Sequence, residues 1–160
     1  MVDIPVVPKL TPNTPDIAII ARAAQAGGAD GICAINTLGP GYTSAHGHPV
    51  LSNGSGGMSG KGVLPIGLKC VREVAAACDL PIIGCGGVSS ADDVNAYFDA
   101  GATIVGVGSS LIGLTTEEIG DYFTTLAADL NSGRNRAESK IRYDVDMSFA
   151  PVSLVKNEKV

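Results

Sequence analysis

Residues 80–88 (LPIIGCGGV) and residues 103–110 (TIVGVGSS) decide the fold of this chain. Each begins as a short continuous apolar run, which is typical of a strand buried on both faces, and each ends in glycines. A helix start follows each run: Ser90 is a predicted N-cap, and Thr115-x-x-Glu118 is a predicted capping box. Two successive strands that lead into helices predict βα units of a parallel sheet.

The same alternation extends upstream. Residues 5–10 (PVVPKL) and 31–36 (GICAIN) predict two further strands, and residues 15–27 and 65–78 predict two further helices, the first capped by Thr14. We therefore predict an α/β fold with four parallel strands and right-handed crossovers. The Gly-, Ser- and His-rich residues 37–62 form a connection much longer than an ordinary loop, and we expect a functional or lid segment there.

Composition excludes several classes of protein. The 160 residues are 45% hydrophobic and only 17% charged, which excludes a disordered chain. No apolar run is long enough to predict a membrane span. The net charge of −5 gives no basic footprint for nucleic acid. The first residues do not resemble a secretion signal, so we expect a cytoplasmic protein.

Cysteine and histidine spacing predicts no metal site. The four cysteines contain no C-x-x-C pair, and we interpret Cys33 and Cys85, which lie in apolar runs, as buried small hydrophobic side chains. His46 and His48 have no acidic or cysteine partner nearby in sequence, so we interpret them as exposed loop residues.

Candidate functional residues follow the predicted strands. Lys9, Asn36 and Thr37 stand at the ends of the first two strands, where parallel sheets bind ligands. The last two strands end in glycines whose backbone N–H groups are unobstructed, and residues 109–113 leave room for the short extra helix of a barrel phosphate site. We predict phosphate binding there, although tight strand-to-helix packing also favours glycine. Neither a Walker motif nor a full G-x-G-x-x-G motif is present.

Five motifs in order resemble one family. PKLTPN, AINT, GGMSG, PIIGCGGV and VGVGSS are similar to motifs of flavin-dependent dihydroorotate dehydrogenases, most closely class 1, over residues 4–130. The resemblance implies an FMN-binding (β/α)8 TIM barrel that oxidises dihydroorotate to orotate in pyrimidine biosynthesis. The FMN domain of dihydropyrimidine dehydrogenase has a similar KLTPN-like strand, and a sugar-phosphate isomerase or aldolase barrel without flavin could use the same phosphate loops.

The resemblance also implies roles for individual residues. Lys9 matches a catalytic lysine beside the flavin ring, Asn36 matches an asparagine that binds the pyrimidine, and Thr37 is a further substrate contact, with Asn13 a looser candidate. The remaining matches are to FMN-binding positions: Gly57, Ser59 and Gly60 along the ribityl chain, then Gly86, Gly87, Gly108 and Ser109 around the phosphate.

The predicted domain is only part of a barrel. Residues 1–133 provide four βα units that match strands five to eight, whereas a complete barrel needs eight. The catalytic base of the family has no counterpart here, so we expect a longer protein, a homo-oligomer or a partner subunit to complete the barrel. Residues 134–160 are interpreted as a tail or as the truncated start of an electron-transfer domain, and an electron-transfer subunit is a further expected partner.

Overall fold

The computed structural model describes residues 3–134. Four βα units follow one another, as predicted, and in the second unit short strands are inserted between the strand and its helix. In chain order the elements are β1 (Lys9–Leu10), α1 (Ile17–Ala26), β2 (Ile32–Ala34), β3 (Leu38–Gly41), β4 (Ser44–Ala45), β5 (His48–Pro49), β6 (Gly56–Met58), α2 (Leu64–Ala75), β7 (Ile82–Cys85), α3 (Ala91–Asp99), β8 (Ile104–Gly106) and α4 (Thr116–Arg134).

A four-stranded parallel sheet in the order β1–β2–β7–β8 confirms the predicted α/β class. One register line runs straight across it, from Lys9 to Cys33, Ile83 and Ile104. Residues paired in this way lie on the same face of a sheet. These four side chains therefore share one face, which we call the inner face, and the residues next to them in each strand lie on the other.

The helices cover that other face. Ile32 and Ala34 of β2 are completely buried there, together with Val71 and Val74 of α2. Tyr97 of α3 is also fully buried and belongs to the same core. The apolar stripe of each helix thus seals one face of the sheet and leaves the inner face, with its strand ends, open for a site.

Helix starts agree with the sequence in two cases and differ in one. Ser90 caps α3 in a reciprocal capping box, and Thr115 exchanges hydrogen bonds with Glu118 at the start of α4, as predicted. Thr14 as the cap of α1 is wrong. The N-cap is Asp16, whose carboxylate accepts from the Ile19 N–H at 3.1 Å, while the Thr14 hydroxyl accepts from Asp16 itself.

Residues 37–62 contain strands that the sequence analysis did not predict. β3 pairs antiparallel with β6 to form an arm, and β4 pairs with β5 in a small hairpin. His46 and Gly47 form the hairpin turn with positive φ angles, and both histidines are exposed as predicted. The sequences of the arm strands are LGPG and GGM, which lack the alternation of apolar and polar residues that predicts a strand.

The predicted boundary at residue 133 stays a prediction. Apart from Arg134, the last residue of α4, the segment interpreted as a tail or second domain lies outside the described residues. Within residues 3–134, none of the helices combines the length and apolar character that crossing a bilayer requires.

Candidate functional site

A cleft of about 270 Å³ lies at the carboxyl ends of the four parallel strands. Its volume is just below the range typical of small-molecule sites, about 300–1,000 Å³. Most of the predicted site residues line it: Lys9, Asn36, Thr37, Ser59, Gly86, Gly87, Gly108 and Ser109. The sheet therefore brings together residues that lie up to a hundred positions apart in the sequence.

Lys9 enters the cleft from the edge strand β1. It stands on the inner face in register with Cys33, and it is exposed among the described residues. No carboxylate pairs with Lys9 in the described part of the chain. Its ammonium group is consequently available to a bound anion or to negative charge that develops on a ligand.

Asn36 and Thr37 follow β2. The Asn36 backbone N–H donates to the Leu10 carbonyl at 2.8 Å, which fixes the strand end. The Asn36 side-chain carbonyl accepts from the Thr37 N–H at 2.8 Å, whereas its NH₂ group donates to none of the described residues. Within the described part of the chain, Asn36 thus keeps both NH₂ hydrogens available beside the cleft, which suits a carbonyl-bearing ring.

The side chain of Asn13, a looser candidate for substrate contact, is bonded to the backbone of the chain. Its NH₂ group donates to the Thr37 carbonyl at 3.1 Å, and its side-chain carbonyl accepts from the Gly39 N–H at 2.9 Å. Both ends of the amide are therefore engaged with backbone. Asn13 joins the β1–α1 loop to the base of the arm and is not among the residues that line the cleft.

Gly57 and Gly60 lie beside the cleft and do not line it. A Cβ placed on Gly57 would lie only 2.0 Å from Oγ1 of Thr37, so the arm packs against Thr37 only because this residue is glycine. The Gly60 carbonyl lies 2.9 Å from where a Gly87 Cβ would stand. These contacts indicate close packing of backbone segments, and the cofactor role of the two glycines stays a prediction.

The loop after β7 presents unsatisfied donors to the cleft. Gly86 and Gly87 have φ angles of 127° and 76°, which glycine adopts readily. Gly87 and Val88 are buried residues that line the cleft, yet neither backbone N–H has an acceptor among the described residues. Because buried N–H groups are almost always paired, these two indicate a site for an external acceptor such as a phosphate oxygen.

The loop after β8 forms the opposite wall. A Cβ on Gly108 would meet nothing within 4 Å, so the approach to this backbone is open. Residues Ser109–Leu111 form the short extra turn of helix for which the sequence left room. The Ser110 hydroxyl donates to the Val88 carbonyl at 2.6 Å and so links the two loops. Together, the two loops present backbone groups to one side of the cleft.

The family model for dihydroorotate dehydrogenase matches residues 1–120. The chain belongs to the dihydroorotate dehydrogenase family. It is 49% identical over 112 residues to the catalytic subunit of dihydroorotate dehydrogenase B (NAD(+)) from Methanosarcina acetivorans, an overlap of 69% of this chain and 36% of that relative. The corresponding subunit of Streptococcus pneumoniae serotype 4 is 48% identical over 109 residues, which are 68% of this chain and 35% of the relative.

The described part of the chain contains part of the dihydroorotate dehydrogenase fold. The family fold is a (β/α)8 barrel, and the four βα units described here form part of one. The chain spans about a third of the length of the curated relatives it matches. The inner face of the sheet corresponds to the barrel interior, which explains why Ile104 on this face is 56% exposed.

In this member of the dihydroorotate dehydrogenase family, the interpretation of Cys33 and Cys85 as buried hydrophobic side chains is wrong. Both are half-buried and line the cleft, with their Sγ atoms 3.6 Å apart, because the inner face is not covered by helices. Their mutual hydrogen bond, and then burial, raises the pKa of Cys33. The hydrogen bond from Cys33, with the charge of Lys9, outweighs burial and lowers the pKa of Cys85. Strand alternation around the two cysteines could have indicated their inward face.

Asp93, which does not line the cleft, is a further residue whose role the sequence reasoning missed. It was interpreted only as a favourable charge in the first turn of α3, yet its carboxylate accepts from Lys61, from Ser89 and from the Ser90 backbone. Burial opposes ionisation, but these donors outweigh it and lower the pKa of Asp93 to about 2. The buried carboxylate thereby holds the end of the loop that follows β7.

Proposed function

We propose that this chain supplies the FMN-binding half of a flavin-dependent dihydroorotate dehydrogenase, which oxidises dihydroorotate to orotate in de novo pyrimidine biosynthesis. One observation carries the proposal. Gly87 and Val88, whose N–H groups have no acceptor within residues 3–134, line the same cleft as Lys9 and Asn36. We call the part of the cleft at Gly87 and Val88 its phosphate end and the part at Lys9 and Asn36 its ring end. These two ends match the phosphate of FMN and its flavin ring with a pyrimidine beside it.

FMN is proposed as the cofactor on the chemistry of the donors. The N–H groups of Gly87 and Val88 would hold two phosphate oxygens, and the open backbone at Gly108 would face a third. Ser59 and Ser109 line the cleft between these loops and offer hydroxyl groups to a ribityl chain. When bound, the flavin accepts a hydride equivalent from the substrate.

The ring end of the cleft is proposed to orient the substrate and to hold charge. Lys9 places a positive charge where negative charge on a reduced flavin would be stabilised, as preorganised charges do in enzymes. The NH₂ group of Asn36 donates to a pyrimidine carbonyl, and Thr37 offers its hydroxyl beside it. These residues bind and orient; the base that removes the substrate proton comes from the other half of the barrel.

Completion of the barrel requires a partner of the same architecture. β1 and β8 are the edges of a four-stranded sheet, and we infer that further βα units, from the same polypeptide or from a second chain, pair with them. The relatives are named catalytic subunits, which supports an electron-transfer subunit as a second partner. The free cysteines support a reducing, cytoplasmic location.

Flavin binding by the purified chain tests the proposal first. We expect FMN to bind with quenched fluorescence, and bound FMN to be bleached anaerobically by dihydroorotate once the complementary half is supplied. A chain that ignores FMN but binds a sugar phosphate such as a triose phosphate would instead support a flavin-free isomerase or aldolase. Bleaching by dihydrouracil and not by dihydroorotate would indicate a dihydropyrimidine dehydrogenase-like enzyme.

A further inference from the structure

The phenol of Tyr97 contacts the loop that follows β7 from the side of the helices. Tyr97 is fully buried in α3, and its hydroxyl donates to the Gly86 carbonyl at 2.8 Å. Two glycines make room for the ring: a Cβ on Gly67 would lie 2.0 Å from the Tyr97 hydroxyl, and one on Gly84 would lie 2.5 Å from the ring. The position of the hydroxyl is therefore set by packing on both sides.

The hydrogen bond also fixes the direction of the next N–H. The Gly86 carbonyl and the Gly87 N–H belong to one peptide unit, and in a trans peptide the two groups point in opposite directions. The only cis peptide among the described residues is Ala34–Ile35. Because Tyr97 holds the carbonyl toward the core, the Gly87 N–H is turned away from the core and toward the cleft that Gly87 lines.

The Val88–Ser89 peptide unit, two units further along the same loop, is held differently. The Val88 carbonyl accepts from Ser110, and the Ser89 N–H donates to Asp93 at 2.9 Å, so both ends of that unit are occupied within the protein. In the Gly86–Gly87 unit, the residues that the structure describes occupy the carbonyl end alone. Without its phenol partner, that unit could rotate about the permissive glycine dihedrals.

We propose that Tyr97 is a positioning residue that aims the Gly87 N–H at the phosphate and so makes the cleft prefer FMN to riboflavin. This inference rests on the proposed flavin site. Tyr97 touches no ligand itself; it acts through the Gly86 carbonyl. The preference arises because riboflavin lacks the phosphate group and makes no use of an aimed N–H.

The test compares two phenol-to-phenyl changes. Tyr97→Phe keeps the packed ring and removes the donor, and Tyr122→Phe is a matched control because the Tyr122 hydroxyl is buried without a partner among the described residues. We expect Tyr97→Phe to weaken FMN binding roughly fivefold, the effect of one hydrogen bond, and to leave riboflavin affinity unchanged. Tyr122→Phe should change neither affinity.

A second measurement does not depend on flavin. In a titration with inorganic phosphate, the Gly87 amide resonance should shift in the wild-type chain and shift less in Tyr97→Phe. Equal weakening of FMN and riboflavin by Tyr97→Phe, or a Gly87 resonance that phosphate does not move, would overturn the role of Tyr97. A different outcome separates the two proposals. If Tyr97→Phe weakens FMN binding and not riboflavin binding, but dihydroorotate never reduces the bound FMN, the proposed function is refuted and the role of Tyr97 stands.

Discussion

Lys61 and Asp93, 32 positions apart, form an ion pair in which the lysine ammonium is exposed and the carboxylate is 7% exposed. Lys61 follows the arm, and Asp93 lies in the first turn of α3. The pair therefore ties the segment that carries Ser59 to the loop that carries Gly87. The carboxylate has little capacity left for other donors, since it also accepts from the backbone at Ser89 and Ser90.

Acid should weaken the fold through Asp93. Its pKa is about 2 in the folded chain, against an ordinary value of 3.8. A carboxyl whose pKa is lowered by folding stabilises the protein above its unfolded pKa, and this contribution disappears as the pH falls through the folded pKa. We expect a loss of about 2 kcal/mol in unfolding free energy between pH 5 and pH 2, measured by urea denaturation.

Two asparagine variants separate this contribution from the other acidic groups. Asp93→Asn should lower stability near neutral pH and flatten its dependence on pH below 5, because the titrating group is gone. Asp92→Asn removes an exposed carboxyl one position away and should keep the wild-type slope. An unchanged slope in Asp93→Asn would show that other groups cause the acid sensitivity.

Lys9→Met should separate flavin chemistry from flavin binding. Lys9 lines the ring end of the cleft and has no carboxylate partner among the described residues. Loss of a preorganised charge-stabilising group commonly costs a rate about 100-fold or more. In the completed barrel we expect anaerobic flavin reduction by dihydroorotate to slow by about that factor, while FMN affinity changes less than about threefold. Equal, modest changes in both quantities would remove the proposed role.

Gly108→Val should block the phosphate end of the proposed site. A Cβ added at Gly108 meets no atom within 4 Å, so it displaces no neighbouring atom among the described residues. The added side chain would occupy the space needed for close approach, so we expect FMN affinity to fall at least about tenfold by fluorescence titration. Riboflavin affinity should change less.

Gly120→Val provides the control for that substitution. Gly120 lies in α4, is exposed, and likewise has open space where a Cβ would be added. It should bind FMN as the wild type does. A Gly108→Val chain that retains full FMN affinity would place the phosphate elsewhere and would contradict the site assigned to this loop.

The elements of the barrel could be predicted from sequence because each is encoded locally. The apolar runs before Gly86 and Gly108 and the cap at Ser90 lie within a few residues of the structure that they specify. The residues that bring these elements together could not be predicted. Tyr97 reaches Gly86 and Asp93 reaches Lys61 only through packing of α3, and neither contact leaves a spacing signal in the sequence. The family resemblance supplied the site residues, but it gave no role to either one.

Substitution on the inner face should reveal how the sheet is covered. Ile104 lies on the edge strand β8 and is 56% exposed, so we expect the isolated chain to self-associate through this face. Burial of an isoleucine side chain contributes about 1.5–3 kcal/mol, so Ile104→Ser should weaken association by roughly tenfold or more.

Ile19→Ser is the matched control, since Ile19 is 57% exposed but lies on α1, on the helical side. Sedimentation velocity across a concentration series measures both variants. A wild-type chain that stays monomeric throughout, or equal weakening by the two substitutions, would show that the inner face does not drive association.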